Sequence, residues 1–233
     1  MVNILAGGRT LQPLKFNLMV SETDQATSGK TAVFDRCGGH PALDFVNSLD
    51  NRFGGKSRVE GLEDYGDLLG FAREMGLIES AYAAQVLRAV TPEAATRALR
   101  AGRALREALA ETLYAVVDER PPPASSLEML ERYFHIADRH RQLRWRRDAG
   151  ERAGLQWSWR LNEEKAELPV WAIAHAARDL MLSPDMERLR ACEVATCRWL
   201  FLDTSRNHSR RWCKMKVCGN RMKARRYQVR HSG

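Results

Sequence analysis

The chain has 233 residues, enough for one ordinary domain and a small module. Hydrophobic residues make up 44% of it, which excludes a wholly disordered polypeptide, and no apolar run approaches the length of a bilayer span. The net charge of +8 sits at one end: residues 206–233 hold ten Lys or Arg and no acid, while the other 205 residues carry 27 bases and 29 acids. Charge polarised in this way points to a polyanionic partner, because the field of a clustered patch adds where a mixed surface cancels.

Residues 1–30 read as a polar, glycine-containing tail whose single apolar patch, Phe16 to Val20, is too short for a secretory signal, so a cytoplasmic protein is expected. Ala42 to Phe53 places Phe45, Val46, Leu49 and Phe53 on one side and predicts a helix. Leu62 to Met75 repeats the pattern with Tyr65, Leu68, Leu69 and Ala72, and Gly76 stands where a left-handed residue would stop it. Ser80 is placed to cap a short helix bearing Ala83, Val86, Leu87 and Val90. Thr91-Pro92-Glu93 is a helix start with a hydroxyl at the N-cap and proline in the first turn. That helix carries Leu105, Leu109, Leu113 and Val116 inward until Pro121 ends it, and Pro121 to Pro123 form a tight loop. Ser125 or Ser126 then caps a helix with Leu127, Leu130, Phe134 and Ala137 on one face.

After His140 the period changes. Leu143 and Trp145 alternate with arginines, and Leu155, Trp157, Trp159 and Leu161 alternate with polar residues, flanking Asp148-Ala149-Gly150; this predicts a β-hairpin. Its three tryptophans are expected to pack against helices rather than line a ligand pocket. A further helix from Pro169 turns Val170, Ile173, Ala174, Ala177 and Met181 inward and stops at Ser183-Pro184. The predicted fold is mainly α with a small antiparallel β-hairpin: a tail (1–30), a helical domain (31–182) and a C-terminal four-cysteine zinc-finger module (183–233).

Five cysteines occur, and Cys37 stands alone as an incidental thiol. The other four are spaced C-x4-C, fifteen residues, C-x4-C: Cys192, Cys197, Cys213 and Cys218. Two close pairs joined by a loop supply four thiolates from two turns, the ligation that zinc prefers. Four protein ligands leave no place for water, so the zinc is expected to be structural. His208 and His231 lack paired spacing and are second choices as ligands. Leu189–Cys192 and Arg198–Leu202 are strand-like runs around the first pair, and Asn220–Arg230 reads as a helix. Arg210, Arg211, Lys214, Lys216, Arg221, Lys223, Arg225, Arg226 and Arg230 are the candidates for contact with nucleic acid. Gly219 and Asn220 are expected to shape the metal knuckle, Asn220 by bonding backbone near the sulfurs.

The run Cys197 to Arg221 resembles the CGNR-type zinc finger, named for the four residues that stand here as Cys218-Gly219-Asn220-Arg221. In that family the finger follows an ABATE-type domain with an LDFVN-like segment, and Leu43-Asp44-Phe45-Val46-Asn47 matches it. The resemblance implies a bacterial, stress-related transcription regulator whose finger binds DNA.

An enzyme is not expected. Gly55-Lys56-Ser57 ends like a phosphate loop, but the required first glycine would fall at Asp50, and a predicted helix rather than a strand precedes it. His40, His135, His140 and His175 are scattered and unpaired. Asp44 and Asn47 are read as a helix cap or buried hydrogen bond in preference to a small-molecule site. DNA leads as partner, with RNA second and another protein third; no membrane is expected. The helical domain would sense an effector, of unknown identity, or form a homodimer.

Overall fold

The computed structural model describes residues 34–146, 154–160 and 165–231. The predicted tail, the turn at Asp148-Ala149-Gly150 and Leu161 lie outside them.

The first helix, α1 (Pro41–Asn47), starts where His40 turns its ring back to accept a hydrogen bond from the Ala42 amide, with Pro41 in the first turn. It is shorter than expected. The Ser48 hydroxyl and amide both donate to the Phe45 carbonyl, and the chain leaves the helix into β1 (Leu49–Asp50), which pairs antiparallel with β2 (Val59–Glu60). Phe53 is therefore off the helix, half exposed and edge-on to Tyr114. Between these strands Gly55–Ser57 is a single 3-10 turn that runs into β2, so the helix a phosphate loop must open is missing.

The second helix, α2 (Tyr65–Glu74), opens with a reciprocal Asp64/Asp67 capping box and ends at Gly76, whose φ of 68° gives the expected left-handed stop. Ser80 is the first residue of α3 (Ser80–Ala89) and not its cap. Thr91 does cap α4 (Pro92–Val117), accepting from the Ala94 amide at 3.3 Å. Leu105, Leu109 and Leu113 face inward as predicted, whereas Val116 is exposed in the last turn. Pro123, and not a serine, precedes α5 (Ala124–Arg139); Ser126 lies inside the helix, buried, and donates to Glu111. Leu127 is exposed, and Leu130 and Ala137 carry the buried face. Strands β3 (Arg141–Arg146) and β4 (Gly154–Trp159) form the expected antiparallel hairpin. Helix α6 (Leu168–Met181) buries nearly its whole length, from Leu168 to Leu180. No helix among the described residues is long and apolar enough to cross a membrane.

The core lies among α1, α2, α4 and α6, with α5 laid on α4 and α6. Helix α1 sits deepest: every residue from Ala42 to Asn47 is buried. Glycine has a purpose at one close approach, because a Cβ on Gly102 of α4 would stand 3.0 Å from the Leu68 methyl of α2. The C-terminal segment does not stand apart. Strands β5 (Leu189–Ala191) and β6 (Leu200–Leu202) pair antiparallel, and Leu189, Leu200 and Leu202 belong to the main core. The described residues belong to a single compact unit.

Candidate metal centre and basic helix

Strand β6 divides two interiors. Alternation along a strand sends neighbouring side chains to opposite faces. Leu200 and Leu202 thus enter the helical core, while Phe201, fully buried, turns to a second cluster with Cys192, Val194, Cys197, Cys213 and Cys218. The first cysteine pair is held by a knuckle in which the Cys192 amide donates to Trp199 O at 2.9 Å and the Cys197 amide to Val194 O at 2.9 Å. Arg198 takes a left-handed φ of 49° to turn the chain back into β6. Of the second pair, Cys213 stands just before a π-helical turn, Met215–Gly219, and Cys218 lies within it; the turn runs directly into α7 (Asn220–His231). Gly219 does not need a positive φ; the space its side chain would fill is taken by the thioether of Met215. The Asn220 amide donates to Lys216 O at 3.0 Å and braces that turn, as expected.

The four buried ligand sulfurs lie within 4.8 Å of one another. Cys197 Sγ to Cys213 Sγ is 3.7 Å and Cys213 Sγ to Cys218 Sγ is 3.6 Å. A tetrahedral zinc with Zn–S bonds of about 2.3 Å requires sulfurs about 3.8 Å apart, so the donor set fits the ion. Electrostatics argue the same way. Hydrogen bonds from Cys197 and Cys213 pull Cys192 down to about 2, and the same contacts with Cys192 push Cys197 and Cys213 far up. Sulfurs this close and this buried cannot all be thiolates without a cation between them. The protein holds a structural zinc, and all four ligand positions are taken by sulfur. His208 and His231 are engaged elsewhere, with Asp203 O and Tyr227 O. Cys37, read as incidental, packs against this cluster, and its hydrogen bond with Cys213 holds its thiol below the usual range.

No residue pattern foretells how firmly the centre is tied to the helices. Asn47 donates to Leu200 O and accepts from Leu200 N–H, both at 2.9 Å and both buried. Asp44 accepts from the Gly38 amide at 2.8 Å, and the Gly38 carbonyl takes the Leu202 amide at 2.8 Å. Burial raises the Asp44 carboxyl to about 7, with the Gly38 bond opposing. These are the buried hydrogen bonds preferred for that pair of residues over a ligand site. Tyr114 on α4 donates to Arg198 O at 3.0 Å, and the Arg198 guanidinium pairs with Asp118 at 2.6 Å beside the Phe53 and Tyr114 rings. The buried Asp203 carboxylate fixes the loop between the cysteine pairs, accepting from Ser205 Oγ, Ser205 N–H and Arg210 N–H.

The nine basic candidates divide into two groups. Arg210 is turned inward: it donates to the carbonyls of Trp212, Cys37 and Cys213, and its guanidinium lies 4.2 Å from the Phe201 ring centroid. Arg211 pairs with Glu193 and Lys214 with Asp35. Lys216, Arg221, Lys223, Arg225 and Arg230 are exposed and form no ion pair among the described residues; Arg226 shares their helix. Helix α7 packs chiefly on the π-turn before it, and among its described side chains Met222 alone is half-buried. A cleft beside the sulfurs is lined by Asp35, Asp50, Asn51, Trp199, Lys214, Val217 and Arg221.

Residues 39–184 match the ABATE family, described as "Putative stress-induced transcription regulator", and residues 188–231 match the CGNR zinc finger. None of the curated proteins matches the chain.

Proposed function

Because the chain belongs to the ABATE family, we propose that it is a zinc-dependent transcription regulator whose finger grips duplex DNA through α7 and the turn before it. One observation carries the reading. Helix α7 bears Arg221, Lys223, Arg225, Arg226 and Arg230, has no acid, and has almost no packed face. A helix of this length is marginal on its own in water. Here Arg221/Arg225 and Arg226/Arg230 are like-charged pairs at i,i+4, and Arg221 meets the positive end of the helix dipole. Phosphates against this surface relieve both penalties, so the feature that weakens the isolated helix favours the complex.

The contact set on this reading is Lys216, Arg221, Lys223, Arg225, Arg226 and Arg230. Arg210 positions the metal loop, and the ion pairs of Arg211 and Lys214 weaken their claim on phosphate. Zinc supplies rigidity, not chemistry, and the reading contains no catalytic step. Helices α1 and α4 both constrain the finger, α1 by Asn47 bonding the two backbone groups of Leu200 in β6 and α4 by Tyr114 donating to Arg198 O.

Duplex binding followed by fluorescence anisotropy across a salt series tests this. If about five bases neutralise phosphates, the log–log slope is about −4 to −5. The triple variant Lys223→Gln/Arg225→Gln/Arg230→Gln should reduce its magnitude by about 3 while zinc content is unchanged. A flat salt response in the unaltered protein rejects the electrostatic grip. Competition by single-stranded or structured RNA that outranks duplex DNA at fixed salt would reassign the partner.

A further inference from the structure

The hairpin carries a surface that neither the zinc centre nor the basic helix uses. Its register sets Leu143 opposite Trp157 and Trp145 opposite Leu155, and residues two apart on a strand share a face. These four side chains therefore form one patch. All are open to solvent: Leu143 at 53%, Trp145 at 68%, Leu155 at 65% and Trp157 at 61%. Among the described residues only the foot of the patch is covered, where Trp159 meets His175 edge-on and the Arg141 guanidinium lies over Trp157 and Trp159. The expectation that these tryptophans pack against helices holds for Trp159 alone. A two-stranded ribbon with a bare apolar face is marginally stable in water, and a contiguous patch of this kind marks an interaction site.

We propose that this hairpin face is the contact between two copies of the chain. The first reason is its pattern. Leucine and tryptophan alternate both along each strand and across the pair, as on a checkerboard. Placed face to face with a copy of itself about a two-fold axis lying parallel to the sheet, along or across the strands, such a board sets every tryptophan over a leucine. Large then meets small at all four positions, which is the self-complementarity an isologous interface needs. The second reason is charge. A patch that meets its own copy must lack a repeated charge at its centre, and these four positions have none; Arg144 lies on the other face, and Arg141 is drawn to the covered end. The third is size. With side-chain areas of roughly 150–250 Å² the exposed part amounts to roughly 500 Å² per copy, so a pair hides about 1,000 Å², where specific interfaces begin.

Sedimentation velocity of the full zinc-loaded chain at concentrations on the order of micromolar provides the test. A species of twice the chain mass is expected. The double variant Trp145→Thr/Trp157→Thr, which puts residues of good strand propensity in their place, should sediment as a single chain with unchanged far-ultraviolet dichroism and zinc content. A single chain throughout for the unaltered protein overturns the proposal. So does a dimer that survives the double substitution, or one that appears only after residues 1–33 are deleted, which would make that segment the occupant. Hydrogen exchange of residues 141–159 in the unaltered protein covers the case of a variant that fails to fold: protection should rise with protein concentration, and protection independent of concentration refutes a contact between copies.

Discussion

Truncating Asn47 to alanine removes the two hydrogen bonds by which the deepest helix holds the strand next to the metal. Leu200 is completely buried, and both its N–H and its C=O are satisfied by this one side chain at 2.9 Å. Water cannot replace the amide without opening the core, so the substitution leaves two orphaned backbone groups. At about 1–3 kcal/mol for each unsatisfied group the loss is about 2–6 kcal/mol, a large share of a typical stability of about 5–15 kcal/mol. Asn47→Asp sharpens the argument. An aspartate still accepts from the Leu200 amide, but as a carboxylate it presents an oxygen to the Leu200 carbonyl, and only its protonated form can donate there. The folded carboxyl must then bind its proton more tightly than the unfolded one, so this variant loses stability as pH rises above the ordinary aspartate pKa of about 4 and regains it as pH falls back toward that value. Equilibrium urea unfolding by far-ultraviolet dichroism, with zinc release followed in parallel by a chromophoric chelator, measures both effects. Because β6 follows directly on the first cysteine pair, zinc should leave faster in both variants. An Asn47→Ala protein within about 1 kcal/mol of the unaltered chain and with the same zinc retention would refute the claim that this contact couples the two parts.

Two further outcomes follow from the same region. The Asp44 carboxyl, raised by burial to about 7, keeps its proton in the folded state over a range in which the unfolded chain has released it. Stability therefore falls as pH climbs from about 4 to about 7, by on the order of 4 kcal/mol, and Asp44→Asn should remove that slope. Its melting temperature should exceed the unaltered protein's by more at about pH 8 than at about pH 5; a difference constant across that range contradicts the assignment. Cys213→Ser takes one sulfur from the tetrahedron and should abolish stoichiometric zinc measured by atomic absorption. Since β6 belongs to both interiors, the melting temperature of the helical part should drop with it. A variant retaining one zinc per chain excludes Cys213 as an essential ligand.

Local signals were legible where a few neighbouring residues settle the outcome. Thr91 before Pro92 starts a helix, Gly76 ends one by its left-handed conformation, and the period-two tryptophan and leucine runs pair as a hairpin. The serine caps failed because those helices start without a side-chain cap: Glu79 and Pro123 stand at the N-cap positions and bond no first-turn amide, and Ser126 serves a buried bond to Glu111. The first helix was read too long because its apolar spacing continues past Ser48, while the chain at that point gains more from the β1–β2 pairing.

What the sequence determined by itself was the metal and its ligands, since two close cysteine pairs in a chain with no other thiol pair admit few alternatives, and the confinement of the net positive charge to the last 28 residues. Which of those charges remain free was decided only in three dimensions: Arg210 is indistinguishable by spacing from its neighbours, yet it folds inward onto Phe201 and three carbonyls. The same is true of Asn47, whose partner lies 153 residues away, and of the hairpin face, whose tryptophans are apolar in any reading but exposed in this fold. Turns, caps and ligand pairs depend on energies within a few residues. Burial and long-range hydrogen bonding depend on which surfaces the folded chain brings together, and no stretch of sequence carries that information alone.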